Sequence, residues 1–208
     1  SADGTNNVAT GAGPTDLQYA AIGVTGVDST AKTNLLGDVI DTQASTAVDT
    51  VAEVQALANA VAAVMTGAAG GAAPTLVQLQ ALGLTGVTAG NLAAVQAALA
   101  ATSDDGSGAD TMAELQTLVD GVTAAALGVI SAYNGSNTTP GTTDYSTAGV
   151  TGVTTSNLAA VNNAIAGLSS TATDSSAEVQ AVVDAYAAIL ASADGTNNVA
   201  TGAGPTDL

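Results

Sequence analysis

Gly23-Val24-Thr25-Gly26-Val27, Gly83-Leu84-Thr85-Gly86-Val87 and Gly149-Val150-Thr151-Gly152-Val153 are three copies of one five-residue motif. A proline lies nine residues before each copy, and an Ala-Glu-(Val/Leu)-Gln run follows about thirty residues after it. The prolines mark successive units of 60, 66 and 65 residues, which begin at Pro14, Pro74 and Pro140, and Pro205 opens the next unit. Recurrence at this spacing is typical of repeat architectures, in which each repeat is one supersecondary unit.

A second, longer period contains the first. Residues 192–208 are identical to residues 1–17, at an offset of 191 residues. We therefore expect this chain to be a fragment of a protein that repeats in 191-residue periods of three related units. The predicted organisation is a linker at 1–13 (copied at 192–204), helical repeats at 14–73, 74–139 and 140–204, and the start of a next repeat at 205–208.

Each unit predicts two helices that the motif connects. The first is short, at about 15–22, 75–82 and 142–148, and Thr15 with Gln18 and Thr75 with Gln78 fit capping boxes. The first motif glycine then ends that helix in the left-handed conformation, and the next apolar residue folds back onto the last turn. The second helix is expected to begin near Asp28, Thr88 or Thr154. Its apolar stripes are Leu35, Leu36, Val39 and Ile40; Leu92, Val95 and Leu99; Leu158, Val161 and Ile165.

The third predicted helix has the clearest start. Thr50 with Glu53, Thr111 with Glu114 and Ser175 with Glu178 form capping boxes at one repeat position, and they include every glutamate in the chain. Helical spacing predicts one buried stripe in each copy. The stripes are Val54, Leu57, Val61, Val64 and Met65; Leu115, Leu118, Val119, Val122 and Val129; Val179, Val182, Val183, Tyr186, Ile189 and Leu190. The second copy is expected to run longest, to about Tyr133.

Composition excludes most binding and catalytic chemistry. The net charge is −17, Lys32 is the only basic residue, and the chain has no His, Cys or Arg. Nucleic acids and anionic membrane surfaces both require Lys and Arg on the protein. Nucleophile–base pairs and zinc sites lack their usual residues, and no run approaches the roughly 18 uninterrupted apolar residues of a membrane span. We therefore expect no enzyme, no catalytic residue, no cofactor and no metal ligand.

Two segments leave calcium open. In the loop from Asp104 to Met112, Gly106-x-Gly108-x-Asp110-x-Met112 matches most of the nonapeptide of calcium-binding β-rolls, but those rolls need successive copies and this chain has one. An acidic loop before the third helix is the favoured interpretation. The second segment carries Asp3, Asn6 and Asn7, duplicated as Asp194, Asn197 and Asn198, whose composition is that of an ordinary turn. Asn134 and Asn137 each open a glycosylation triplet. Tyr19 and Tyr145 share a repeat position with Leu79, which indicates packing.

Two stretches carry a resemblance to a known class of protein. Asp144 to Asn162 reads Asp-Tyr-x-x-x-Gly-Val-Thr-Gly-Val-x-x-x-Asn-Leu-Ala-Ala-Val-Asn, and 177–186 reads Ala-Glu-Val-Gln-Ala-Val-Val-Asp-Ala-Tyr. These resemble helical tandem repeats of giant biofilm-associated, adhesin-like surface proteins of Gram-negative bacteria, often exported by type I secretion. The resemblance implies an extracellular or cell-surface location. It maps no binding residues onto this chain.

The sequence therefore predicts an all-α fold of short three-helix bundles in tandem, in line and solenoid-like. The leading functional hypothesis is a structural extender that projects a distal binding domain, with neighbouring repeats of the same chain as its partners. One alternative is a subunit of an extracellular filament or matrix fibre, in which other copies pack laterally. Another is a helical ligand-binding module, for which only Tyr133 is a candidate contact. We expect no nucleic-acid partner and no membrane insertion by this segment.

Overall fold

Helices follow one another in three groups of short, medium and long. A computed structural model describes residues 13–103 and 105–193, which form nine α-helices and two 3₁₀ turns, at Ser45–Ala47 and Ser170–Ala172. The helices are α1 (Asp16–Ala21), α2 (Thr30–Thr42) and α3 (Val51–Ala68); α4 (Leu76–Ala81), α5 (Leu92–Leu99) and α6 (Met112–Ser131); α7 (Thr142–Thr147), α8 (Leu158–Ala166) and α9 (Ser176–Ser192). The all-α prediction is confirmed, and α6 is the longest helix of the described residues.

The short helices begin and end as their sequences predict. Thr15 and Gln18 form a reciprocal capping box, as do Thr75 and Gln78. In the third copy the Gly141 N–H donates to the Asp144 carboxylate instead, at 2.8 Å. Each short helix ends at a motif glycine with positive φ (88°, 92° and 80°), and the following residue is buried. Those residues are Gly23 with Val24, Gly83 with Leu84, and Gly149 with Val150.

The medium helices begin later than predicted. Their N-caps are Ser29, Asn91 and Asn157 rather than Asp28, Thr88 and Thr154. Asp28 instead pairs with Lys32 at 2.6 Å, which holds the pKa of its carboxyl below the ordinary value. Thr88 and Thr154 each open one turn before the helix, because their carbonyl oxygens accept the N–H of Leu92 and Leu158. The difference is the extra turn that these threonines stabilise.

The long helices open with the predicted capping boxes. The Glu53 carboxylate accepts the Thr50 N–H at 3.0 Å, and the Glu53 N–H donates to Thr50 Oγ1 at 3.3 Å. The equivalent bonds join Thr111 to Glu114 and Ser175 to Glu178. Each box satisfies donors that a helix N-terminus otherwise leaves unpaired.

Two compact units divide the chain, at Ser1–Gly121 and Val122–Leu208, and the boundary falls within α6. In the first unit α3 packs against α2, α4 and α5. The second unit has a core from residues of α6, α7, α8 and α9, at Ala126, Ile130, Tyr145, Ala148, Val150, Val161, Ile165, Val179, Val182 and Val183. The repeat boundaries after residues 13, 73, 139 and 204 are statements about sequence period, and they stay predictions.

One part of the predicted stripes is wrong. Ile189 and Leu190, in the last turns of α9, are each 51% exposed, whereas Val179 and Val183 near its start are buried. Helical spacing gives the face on which apolar residues lie, but not how far along the helix a neighbour covers that face. Leu118, Val122 and Val129 of α6 are half-buried rather than buried.

Within the described residues, α3 and α6 are long and apolar enough to cross a bilayer by length and composition alone. Each has a mean hydropathy of 1.3. Half of the α3 stretch is buried inside the fold, against 22% of the α6 stretch. Core helices of globular proteins share this length and composition, so the two helices are weak evidence for a membrane.

Candidate functional site

A hydrogen-bonded clamp holds each motif to the long helix of its own repeat. In the first copy, Gln55 Oε1 accepts the Thr25 N–H at 2.8 Å and its hydroxyl at 3.3 Å. Gln55 Nε2 donates to the Thr25 carbonyl oxygen at 3.1 Å and to Asn59 Oδ1 at 2.9 Å. We call this arrangement the Thr–Gln clamp. It joins the centre of the motif to the glutamine of the Ala-Glu-(Val/Leu)-Gln run.

The same Thr–Gln clamp recurs in the other two copies. Gln116 Oε1 accepts the Thr85 N–H at 3.0 Å, and its Nε2 donates to the Thr85 carbonyl at 3.2 Å. In the third copy Gln180 makes the corresponding bonds to Thr151 at 2.8 and 3.2 Å. Each of these Nε2 atoms also donates at 2.8 Å to an aspartate one turn along the helix, Asp120 or Asp184. The two most recurrent sequence signatures are thus two halves of one contact.

The second motif glycine is fixed by an asparagine in two of the copies. Asn91 Nδ2 donates to the Gly86 carbonyl at 2.7 Å while its Oδ1 accepts the Thr88 N–H at 2.8 Å. Asn157 makes the same two bonds to Gly152 and Thr154. Sequence reasoning missed this role, although the repeated Asn-Leu-Ala-Ala-Val run at 91–95 and 157–161 carries the signal. In the first copy Ala31 stands at this position.

Most hydrogen-bonding groups at the centre of the motif are already engaged within the fold. A glutamine amide has two N–H donors and one carbonyl acceptor, and in each Thr–Gln clamp all of them are engaged. The central threonine has both its backbone N–H and its carbonyl bound. The flanking apolar residues are buried at Val24, Val27, Leu84, Val87 and Val150. The geometry therefore supports a structural role for the motif, which connects the end of the short helix to the long helix through hydrogen bonds.

Hydrogen bonds engage Asp105 and Asp110 in the loop before α6, and they also join this segment to α2. Asp105 Oδ1 accepts the Ser107 N–H at 3.0 Å, and this bond lowers the pKa of Asp105. Asp110 Oδ2 accepts from Asn34 Nδ2 at 3.0 Å. Asp38 of α2 accepts the Met112 N–H at 2.6 Å and so anchors the start of α6, which the sequence did not predict.

In the part of the chain that the structure describes, no group of three or more His, Cys, Asp or Glu side chains could hold a metal ion. The expectation that the chain binds no metal stays a prediction. The remaining candidates lie outside the described residues, at Asp3, Asn6, Asn7, Asp104, Asp194, Asn197 and Asn198.

The other candidates are exposed turns or core contacts. Asn134 Oδ1 accepts the Ser136 N–H at 3.0 Å, and Asn137 Nδ2 donates to the Ala132 carbonyl at 2.8 Å, so both asparagines form hydrogen bonds within the turn that follows α6. Tyr133, the candidate ligand contact, is half-buried against the core of the second unit. Tyr19, Leu79 and Tyr145 are at most 2% exposed, which confirms a packing position.

No protein-family model, no curated protein and no solved structure matches this chain.

Proposed function

We propose that this chain is part of a structural extender, a stalk of tandem helical repeats in a large extracellular adhesin-like protein. One observation carries the proposal. The residues that recur with the sequence period form the Thr–Gln clamps and the capping boxes or lie buried in the core. Repetition in this chain therefore preserves packing between helices, which is what a spacer requires.

The proposed architecture is a series of three-helix bundles in line, each of about 60–66 residues. Reach comes from the number of units in series, because each unit contacts only its neighbours. The net charge of −17 supports this role, since like charge keeps long strands soluble and apart. Neighbouring repeats are the proposed partners, and the bacterial cell surface is the proposed location, on the resemblance described above.

A filament subunit is the second candidate, and exposed apolar residues favour it. Ile22 near the start is 52% exposed, and Ile189 and Leu190 near the end are each 51% exposed. If these surfaces bind between chains, separate molecules join end to end and grow without limit, as heterologous contacts do.

Small-angle X-ray scattering across a concentration series, with and without calcium, tests the proposal. A compact globule of this length has a radius of gyration of roughly 17 Å. Three bundles in line, each about 20–30 Å long, give a clearly larger value and a rod-like profile. A rod that is independent of concentration supports the extender. Growth with concentration favours the filament, and a compact monomer contradicts both.

A further inference from the structure

The last turns of the long helices differ in a way that points to a missing neighbour. Val64 and Met65 in α3 are 0% and 8% exposed, and Ala126, the residue of α6 equivalent to Met65, is 6% exposed. Counted from the capping-box glutamates, Ile189 and Leu190 of α9 stand at the positions of Val64 and Met65, and each is 51% exposed. Their side chains are at least as large as those that the other two copies bury. The Leu190 position is therefore uncovered in one copy only, whereas at the Ile189 position the second copy has Ala125, which is also exposed.

The helices that cover the first two ends belong to the next repeat along the chain. In the first unit α3 packs against α4 and α5. Gly67 in its last turn lies so near that a Cβ there would come within 2.8 Å of Pro74 Cδ and 3.1 Å of Leu99 Cδ2. In the second unit Ala126 and Ile130 share one core with residues of α7 and α8. The helices α3 and α6 thus end against the short and medium helices of the following repeat.

The short helices show the complementary difference. Ile22, Leu82 and Ala148 stand at the same repeat position, directly before the motif. Leu82 and Ala148 are 0% exposed, and in both cases a long helix precedes them in the same unit. Ile22 is 52% exposed, and no long helix precedes α1 among the described residues. Ile22 is therefore exposed at a position that is buried in the two copies whose short helix follows a long helix.

The sequence indicates which segment would pack against the exposed end of α9. Residues 192–208 repeat residues 1–17, so the chain after α9 is again the sequence that leads into α1. We propose that the last turns of α9 are a docking surface for the first short helix of the following 191-residue period. In this joint Ile189 and Leu190 pack against the residue equivalent to Ile22. The inference rests on the proposed function, because it requires periods in tandem.

Other exposed apolar residues do not belong to this joint. Leu17 and Val77 share a repeat position and are 76% and 74% exposed. Val77 stays exposed although α4 follows a long helix and packs against it. Val77 therefore serves as the matched control, because its loss removes a similar exposed apolar group outside the proposed contact.

The test compares this chain with a chain of two periods, residues 1–191 followed by residues 1–208. Hydrogen exchange is followed at the amides of Ile22, Gly23 and Val24 of the second period, which donate to carbonyls of the first short helix. Docking is expected to slow their exchange at least about tenfold relative to the single-period chain. Ile189→Ser with Leu190→Ser in the first period is expected to abolish this protection. Val77→Ser, in the first or in the second period, is expected to leave the protection of these amides unchanged.

Three results overturn the inference. The first is equal exchange of these amides in the two chains, and the second is protection that survives the double substitution. The third is protection in the single-period chain that rises with its concentration, because the occupant is then a separate molecule. Scattering from the same samples tests the proposed function separately. An extended two-period chain without protection keeps the extender and removes the docked joint, whereas a compact two-period chain removes the extender.

Discussion

Two tyrosines at the same repeat position differ by one hydrogen bond. The Tyr145 hydroxyl donates to Asn162 Oδ1 at 2.6 Å, and Asn162 Nδ2 donates to the Pro140 carbonyl at 2.9 Å. The Tyr19 hydroxyl is buried without a hydrogen-bond partner among the described residues. Leu36 stands in the first copy where Asn162 stands in the third. Burial raises the pKa of both tyrosines to about 12, so both are neutral at physiological pH.

Tyr145→Phe is expected to destabilise the fold by about 1–2 kcal/mol, because it leaves Asn162 with an unpaired buried acceptor. Tyr19→Phe is expected to be neutral or stabilising, since it removes a hydroxyl that is already unpaired. Urea unfolding of both variants, followed by circular dichroism, measures the difference. Equal losses for the two substitutions would contradict this account of the position.

The Thr–Gln clamp gives a second matched pair. Gln55→Glu keeps the acceptor for the Thr25 N–H but loses the donor to its carbonyl, at a cost of about 0.5–1.5 kcal/mol. Gln116→Glu is expected to cost about 0.2–0.5 kcal/mol more, because Asp120 lies one turn away where Gln55 has the neutral Asn59. The comparison is made by urea unfolding at pH 7 and repeated near pH 4. The two substitutions could destabilise the fold equally at pH 7, or their difference in destabilisation could fail to decrease near pH 4. Either result would show that the Asp120 contact is unimportant.

At the scale of the helices, local chemistry decides what is predictable. The long helices and two of the short helices begin at capping boxes, and the short helices end at glycine. Both signals lie within a few residues of sequence. The medium helices were less predictable, because Thr88 and Thr154 add a turn through Asn91 and Asn157. The Thr–Gln clamp was missed altogether, since it joins residues about thirty positions apart and only the fold brings them together.

Glycines in different backbone conformations test the role of the motif. Gly86 has a φ of 76°, so Gly86→Ala is expected to cost about 1–2 kcal/mol of left-handed strain. Gly121 lies in α6 of the same unit, and no atom lies within 4 Å of a Cβ built there. Gly121→Ala is therefore expected to stabilise the fold by about 0.5–1 kcal/mol. Thermal unfolding of both variants gives the signs, and a stabilising Gly86→Ala would refute the motif geometry.

The capping box of α3 predicts a dependence on pH. The Thr50 hydroxyl, then its N–H, lowers the pKa of Glu53 below the ordinary value of 4.5. The charged carboxylate therefore adds stability above about pH 4.5, and this contribution disappears as the pH falls through the lowered pKa. The difference in unfolding midpoint between the native chain and Glu53→Gln should shrink over that range. A difference that stays constant from pH 7 to pH 3 would contradict the assignment.

The first copy is the appropriate place for that measurement. In the third copy the Glu178 carboxyl raises the pKa of Asp174 through a hydrogen bond and charge repulsion, while the pKa of Glu178 is lowered. The pKa values of these two carboxyl groups are shifted in opposite directions, so folding favours the protonated form of Asp174 and the charged form of Glu178. Their contributions oppose each other in acid, so a single substitution there does not isolate the capping box.

At the scale of the whole molecule, the capping boxes and the helical spacing of apolar residues predicted the all-α class, and the repeat predicted the order of the helices. Neither showed where the packing of each helix ends. Ile189 and Leu190 continue an apolar stripe that the sequence assigns to the core, yet a stripe is buried only where another element covers it. In α3 and α6 the following repeat supplies that cover. The stability of the last turns of α3 and α6 therefore depends on their packing against the following repeat.

The most direct test of the extender is the size of chains that contain one, two and three 191-residue periods. Solution scattering gives the maximum dimension of each. The account predicts a constant increment of roughly 60–90 Å per period, from three bundles of about 20–30 Å each. Growth of the radius of gyration with only about the 0.38 power of chain length, as in compact domains, would contradict it.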